Sequence, residues 1–171
     1  LLKESNKSRA KKIMQKLNIT TAEFFTTEPG EHKNEKTIPI MFPLFVKPIT
    51  GGDSRGIDKN SIVHNYLSYK KKVLEIKRKQ HSRCLVEKYL SGKEYSVGIF
   101  KDNITGMIEA MPIEITVKKN INGHHILDFD IKKNDEEKVT AVLNVKIFKQ
   151  LSVLAKKSFI ALKGKSFGRI D

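Results

Sequence analysis

The spacing of apolar positions along the chain predicts three amphipathic helices. Apolar residues recur on one face over 5–17 and over 61–79, at the three- and four-residue intervals that place side chains on the same side of a helix. A third helix is predicted over 136–163, with Gly164 as its C-terminal stop, because glycine readily takes the backbone conformation that ends a helix.

Short apolar runs and alternating patterns between these helices predict strands. Over 94–100, Tyr95, Val97 and Ile99 alternate with smaller residues, and 111–117 alternates apolar with polar residues, as on a sheet with one solvated face. Further strands are predicted over 20–27, 42–48, 83–90, 125–131 and 166–171. The alternation of strands with long helices predicts an α+β (α/β) chain.

Length and composition are those of a soluble globular protein. The 171 residues allow one good-sized domain or two small ones, and 39% of them are hydrophobic and 30% charged. No apolar run approaches the roughly 18 residues of a membrane span. The single cysteine, Cys84, excludes an intramolecular disulfide, suits a cytoplasmic protein and is interpreted as a buried strand residue.

The formal net charge of +14 matters because a strongly basic chain can bind polyanions. One interpretation is a nucleic-acid-binding module, and the other is a lysine-rich protein that uses some of its lysines on a small polyphosphate. The lysines are dispersed, with short basic runs at 70–72 and 77–79 that we interpret as solvated helix surface.

A segment rich in turn-forming residues, 50–56, follows the predicted strand that carries Lys47; we call it the glycine loop. Gly51 and Gly52 would let backbone N–H groups approach phosphates, Ser54 could add a hydroxyl donor, and Lys47 supplies charge. The loop lacks the Gly-Lys-Ser/Thr sequence of a Walker motif. Taken alone, it is about as compatible with a purely structural loop.

Carboxylates and an arginine supply two further candidate features. Glu87 and Glu94 could each accept hydrogen bonds from a ribose or an exocyclic amine, although each could equally be a surface carboxylate. Arg169 and Asp171 stand two residues apart on a predicted strand and so share a face. There an arginine can stabilise oxyanion charge and an aspartate can hold magnesium, with a simple exposed ion pair as the alternative.

Four segments occur together in the order and approximate spacing of the D-alanine–D-alanine ligase family of the ATP-grasp superfamily. They are Phe-Val-Lys-Pro around Lys47, the glycine loop, Glu-Lys-Tyr-Leu-Ser-Gly-Lys-Glu over 87–94 and Gly-Arg-Ile-Asp over 168–171. The chain resembles this family over essentially its whole length. The resemblance implies an ATP-grasp fold, in which an antiparallel lid sheet with helices is followed by the start of a second α+β subdomain and the nucleotide lies between them. It implies an entry helix over 1–19, the lid over 20–101 and a truncated C-terminal subdomain over 102–171.

The resemblance also implies ATP and Mg²⁺ as cofactors and assigns roles to individual residues. The residues implied to bind the nucleotide are Lys7, Lys47, Gly51, Gly52, Asp53, Ser54, Glu87, Lys88, Leu90 and Glu94. Lys132 is implied to close over the reaction centre, Arg169 to steady the tetrahedral intermediate and Asp171 to be the first magnesium ligand.

The implied enzyme is a carboxylate–amine ligase of peptidoglycan precursor synthesis. ATP phosphorylates a carboxylate, and an amine then displaces phosphate from the acyl phosphate. The implied partners are amino acids and ATP, not nucleic acid or a membrane, with a homodimer as one option for the full-length protein.

Three residues, Gly51, Asp53 and Lys133, depart from those usual in the family. A ligase for a different pair of amino or hydroxy acids, and a member that only binds ATP, are therefore alternatives. The resemblance implies that the family's N-terminal domain and remaining metal ligands would lie outside this segment. We therefore expect the chain alone to bind nucleotide weakly without turnover.

Overall fold

The structure, a computed structural model, describes residues 6–52, 54–117, 134 and 137–171. The described residues divide into two compact units, the first built mainly from 22–91 and the second mainly from 92–117 and 137–171. Helix α1 (Lys7–Lys16) confirms the first predicted helix; its residues 7–9 are assigned to the first unit and the rest to the second. It begins at Asn6, whose Oδ1 accepts hydrogen bonds from the backbone N–H groups of Ser8 and Arg9 at 3.1 and 3.2 Å.

The first unit is an antiparallel sheet with a helix packed on one face. Its strands are β1 (Phe24–Thr27), β2 (Leu44–Pro48), β3 (Ile62–Val63) and β4 (Cys84–Lys88), in the spatial order β1-β4-β2-β3. Helix α2 (Tyr66–Gln80) connects β3 to β4, and a 3₁₀ turn over Glu35–Thr37 lies in the connection from β1 to β2.

The core of this unit forms where alternate residues of the strands meet the apolar stripe of α2. Leu44 and Val46 on β2 are fully buried and belong to one cluster with Val73 and Ile76 on the helix. Cys84 is buried in the same cluster, which confirms its interpretation as a core strand residue. Burial raises the pKa of its thiol to about 12.

Helix α2 differs from its prediction in two respects. It begins later than expected, because Ile62 and Val63 pair with β2 and Asn65 caps the helix by accepting a hydrogen bond from Ser68 N–H at 2.9 Å. In addition, the basic run at 70–72 is not all solvated surface, since Lys72 is only 2% exposed on the core-facing stripe.

The second unit is also an antiparallel sheet with one helix. Its strands are β5 (Glu94–Lys101), β6 (Ile108–Thr116), β7 (Lys138–Ala141) and β8 (Phe167–Ile170), in the order β7-β6-β5-β8. Helix α3 (Val145–Ala161) packs on the sheet, and the core consists of Val97 and Ile99 on β5 with Ala155 and Phe159 on the helix.

The division of the chain falls after Ser91, whereas the predicted lid extends to residue 101. The difference concerns β5, which pairs along its whole length with β6 and so belongs to the second unit. The subdomain roles implied by the resemblance stay predictions.

The prediction of one helix over 136–163 is wrong in its first part. Residues 138–141 include the β-branched Val139 and Thr140 and form β7, which pairs with β6. Helix α3 starts only after Asn144, which caps it by accepting a hydrogen bond from Ile147 N–H at 3.1 Å. The strand predicted over 125–131 lies outside the described residues.

The end of α3 shows why a glycine stands at 164. Lys163, and not the glycine, takes the left-handed backbone conformation, with φ of 58°. Gly164 instead makes room for the ring of Phe159, because a Cβ at 164 would lie 2.2 Å from its Cε2 atom. Among the described helices, none is long and apolar enough to cross a bilayer.

Candidate functional site

Lys47 and Glu87 lie on the face of the first sheet that is turned away from α2. Phe45 is directly opposite Glu87 in the β2–β4 pairing, and Lys47 follows two residues later, so all three share this face. The Lys47 ammonium and the Glu87 carboxylate form an ion pair whose side chains are only 21% and 11% exposed. Lys47 Nζ also lies 5.6 Å from the centroid of the Phe45 ring. An ammonium group is thus held in place towards the end of β2.

Lys7 brings a second ammonium group to the same place. Its Nζ donates hydrogen bonds to the carbonyl oxygens of Gly51 at 2.6 Å and Pro48 at 3.3 Å. Burial lowers the pKa of Lys7 below its usual value, and the positive charge of Lys47 lowers it further, while Glu87 opposes the shift. Lys7, Lys47 and Glu87, which we call the lysine cradle, therefore place two ammonium groups and one carboxylate beside the glycine loop.

The glycine loop has the backbone geometry that its composition predicts. Gly51, Ser54 and Gly56 have positive φ of 91°, 56° and 77°, a region that glycine occupies without strain. Gly51 and Gly52 are exposed, so an anion could reach the backbone N–H groups of this segment. Asp53 lies outside the described residues.

Lys88 and Leu90 occupy the end of β4 and the residues just after it. The Lys88 ammonium donates to the carbonyl oxygens of Met41 at 2.9 Å and Phe42 at 3.3 Å, so this side chain ties the end of β4 to the segment before β2. Leu90 is exposed. The adenine contacts implied for this segment stay a prediction.

The second unit carries the other candidate residues, Glu94, Arg169 and Asp171. Glu94 is exposed at the start of β5. Asp171 Oδ1 accepts a hydrogen bond from Ser96 Oγ at 2.6 Å and lies 3.1 Å from Arg169 Nε. Arg169 and Asp171 therefore form the ion pair, and their side chains are 65% and 49% exposed. Sequence reasoning missed Ser96, although its polar position in the alternating pattern of β5 places it on the face of Glu94.

The described residues offer limited ligands for a metal. No group of three histidine, cysteine, aspartate or glutamate side chains that could hold a metal ion occurs among them. Mg²⁺ is commonly held through one or two carboxylates together with water and phosphate oxygens of a substrate, so Asp171 is compatible with the role of one protein ligand. Lys132, predicted to act at the reaction centre, lies outside the described residues.

Comparison with known proteins gives the class of this chain. The family model for the C-terminal region of D-alanine–D-alanine ligases matches residues 13–171. A solved structure of the Bacillus anthracis D-alanine–D-alanine ligase complexed with ATP superimposes with a TM-score of 0.71 at 21% identity, covering 97% of this chain and 49% of that one. The described chain therefore has the ATP-grasp fold, which confirms the fold predicted from the sequence.

The chain belongs to the D-alanine–D-alanine ligase family, by the match to its C-terminal region. The D-alanine–D-alanine ligase of Rhizobium meliloti (strain 1021) is 25% identical over 170 residues, and ligase B of Clostridium perfringens (strain 13 / Type A) is 28% identical over 172. Each match covers 97% of this chain and 51% of the relative, so the chain spans about half the length of the curated relatives it matches.

Proposed function

We propose that this chain is the nucleotide-binding part of an ATP-dependent carboxylate–amine ligase that forms D-alanyl-D-alanine or a related dipeptide. The observation that carries the proposal is the lysine cradle, which places Lys7 and Lys47 beside an exposed glycine loop. Two ammonium groups and backbone N–H donors fit the negatively charged oxygens of a polyphosphate. The family to which the chain belongs supports ATP as that polyphosphate.

Lys47 and Lys7 would bind the phosphates, with Lys47 exchanging Glu87 for a phosphate oxygen. Such an exchange needs little movement, because Lys47 is already oriented by β2 and by the Phe45 ring. Gly51, Gly52, Asp53 and Ser54 would close the glycine loop over the phosphates. The bound ATP and Mg²⁺ would supply the transferable phosphoryl group and neutralise part of its charge.

The remaining residues would position the sugar, the base and the reacting carboxylate. Glu94 would accept hydrogen bonds from the ribose hydroxyls, while residues 87–90 would contact the adenine. Arg169 would stabilise charge on the carboxylate as it reacts, and Asp171 would hold the metal. Lys132 is proposed to close over the same reaction centre.

The reaction would have two balanced steps. A carboxylate oxygen would attack the γ-phosphorus and ADP would leave, which gives an acyl phosphate. An amine nitrogen would then attack the acyl carbon, and inorganic phosphate would leave with the proton that the nitrogen loses. Because Gly51, Asp53 and Lys133 differ from the residues usual in the family, a different amino or hydroxy acid is the second candidate substrate.

Calorimetric titration of the chain with magnesium–ATP tests the proposal. Lys47→Ala is expected to weaken binding about tenfold or more, because it removes a charge-assisted contact to phosphate. Glu94→Ala is expected to weaken binding through the ribose. Lys71→Ala is the matched control, since Lys71 is an exposed lysine on α2 and its loss should leave affinity unchanged.

ATP binding that Lys47→Ala leaves intact would contradict the proposal. Steeply salt-dependent binding of DNA or RNA that is indifferent to Lys47→Ala would instead support the nucleic-acid-binding alternative.

A further inference from the structure

Lys72 stands where the sequence pattern of α2 would place an apolar residue. It shares the core-facing stripe of the helix with Tyr69, Val73 and Ile76. All four are buried, and Lys72 is only 2% exposed. Because removing an ammonium group from water is strongly unfavourable, a lysine on this stripe is expected to have a partner of opposite charge.

Asp58, in the connection that follows the glycine loop, is that partner. Lys72 Nζ lies 2.9 Å from Asp58 Oδ1. It also lies 3.5 Å from Oε2 of Glu75, which is on the same helix as Lys72. Glu75 also pairs with Lys79 at 2.9 Å. The contact with Asp58 is therefore the shorter of the two carboxylate contacts and the one that joins the helix to the loop.

Asp58 organises the turn by which the chain leaves the glycine loop. Its backbone N–H donates to Ser61 Oγ at 3.0 Å, its Oδ1 accepts from Asn60 N–H at 2.8 Å, and its carbonyl accepts from Ser61 N–H at 2.9 Å. Ser61 is fully buried, and its carbonyl accepts from Val46 N–H on β2 at 2.8 Å. The turn over 58–61 is thus fixed to both the sheet and α2.

The glycine loop is packed unevenly: a Cβ at Gly56 would lie 2.6 Å from Pro48 Cγ, whereas a Cβ at Gly51 or Gly52 would meet nothing within 4 Å. A cavity of about 360 Å³ lies beside the loop, lined by Pro48, residues 50–52 and Arg55 together with Gln80 and Ser82. The position of the exposed tip at Gly51 and Gly52 therefore depends on how the chain is held on either side of it. At one side Lys7 Nζ holds the Gly51 carbonyl, and at the other the chain is held through the Asp58 turn.

Stability alone does not account for a lysine at position 72. The side chain of Asp58 is 41% exposed, so water screens its attraction for the ammonium group. Replacing a buried charge by an apolar residue of similar shape is often neutral or stabilising. The ion pair is better explained by what it positions.

We propose that Lys72 is a positioning residue, which holds the exit of the glycine loop through Asp58 so that the loop presents its N–H groups to a polyphosphate. The inference rests on the proposed ATP site and concerns its phosphate-binding half. Lys72 itself touches neither the lysine cradle nor the exposed tip of the loop among the described contacts.

Two variants and a matched control test this role. Lys72→Met keeps the apolar stem and removes the charge, whereas Asp58→Asn removes the opposite charge at a half-exposed position without touching the core. Both are expected to weaken ATP binding about tenfold, the equivalent of one lost charge-assisted hydrogen bond, and to leave the weaker binding of adenosine unchanged. Lys71 is the exposed neighbour of Lys72 on α2, so Lys71→Met should change the affinity for neither ATP nor adenosine.

Amide hydrogen exchange supplies a readout independent of affinity. The N–H groups of Arg55 and Ile57 donate to Gly52 and Ser54 carbonyls at 3.1 and 2.9 Å within the loop. Exchange at these two amides should become faster in Lys72→Met and Asp58→Asn, while exchange at Val86 in β4 stays slow.

The inference and the proposed function fail in different ways. If the parent chain shows no Lys47-dependent ATP binding, the proposed function is overturned and the positioning role with it. If that binding is present but both variants keep the parent affinity for ATP, or lose ATP and adenosine equally, the positioning role alone is overturned.

Discussion

Gly164→Ala is expected to destabilise the second unit, because one methyl group would collide with its largest core ring. A Cβ at 164 would lie 2.2, 2.4 and 2.4 Å from three ring carbons of Phe159, whereas an unstrained carbon–carbon contact needs about 3.5 Å or more. A Cβ at Gly168 would also approach this ring, at 3.2 Å, so the ring lies close to two glycines.

The ring cannot simply swing away from the new methyl group. Phe159 is 4% exposed and packs in the cluster with Val97, Ile99 and Ala155, so moving it would open the core. Overpacking of this kind typically lowers the free energy of unfolding by about 1–3 kcal/mol. We therefore expect a loss in that range.

The assay is urea unfolding followed by circular dichroism, combined with amide hydrogen exchange at β8 to localise the effect. Gly92→Ala is the matched control, since a Cβ there meets nothing within 4 Å, and its effect should stay within about 0.5 kcal/mol. Replacing the ring by a smaller side chain in Phe159→Leu should relieve the collision. The loss in free energy of unfolding of the double variant should therefore be smaller than the sum of the losses of the two single variants. A Gly164→Ala protein as stable as the Gly92→Ala control would refute the role assigned to this glycine.

Two further predictions follow from groups with shifted pKa values. Burial raises the pKa of the Cys84 thiol from its usual 9.0 to about 12, so the unfolded chain loses its thiol proton first and the contribution of Cys84 to stability should fall as pH rises through 9. The thiol should also resist alkylation at pH 8 until urea unfolds the protein, and rapid labelling of the native chain would contradict its burial. The lowered pKa of Lys7 means that, between that pKa and the usual 10.5, the unfolded chain binds more protons at this residue, so the contribution of Lys7 to stability should rise with pH. A bound phosphate would raise this pKa again, so ATP binding at alkaline pH should take up protons, measured as a dependence of the calorimetric heat on buffer ionisation enthalpy that Lys7→Met abolishes.

Local patterns sufficed for most elements of the fold. The alternation in 94–100 and the apolar stripe of α2 each reflect burial on one side; β5 was predicted close to its observed bounds, and α2 was predicted correctly except for its start. The start of the region 136–163 was predicted wrongly as helix. A short exposed strand such as β7 shows no alternation of buried and exposed residues and is specified by its pairing with β6. Pairing between distant segments leaves little trace in local periodicity.

The candidate site, like the fold, could be predicted from the sequence only in part. Residue types and order indicated Lys47, Glu87 and the glycine loop, but Lys7 was implied by the family resemblance alone. Its hydrogen bond to Gly51 joins residues far apart in sequence and was not predicted. Lys72 escaped notice because a lysine within a basic run normally points to solvent. Its burial depends on where the Asp58 turn lies, which only the folded chain defines.

The pairing of Lys47 with Glu87 has a consequence for selectivity among anions. An incoming ion must compete with a carboxylate already seated against the ammonium group, in a setting where both side chains are largely shielded from water. Chloride or a single small oxyanion would replace little of the attraction between Lys47 and Glu87. A chain of phosphates would contact Lys7 and Lys47 together and so could compensate for the loss of that ion pair. We therefore expect monovalent anions to bind the lysine cradle weakly and ligands of high negative charge to bind it more tightly.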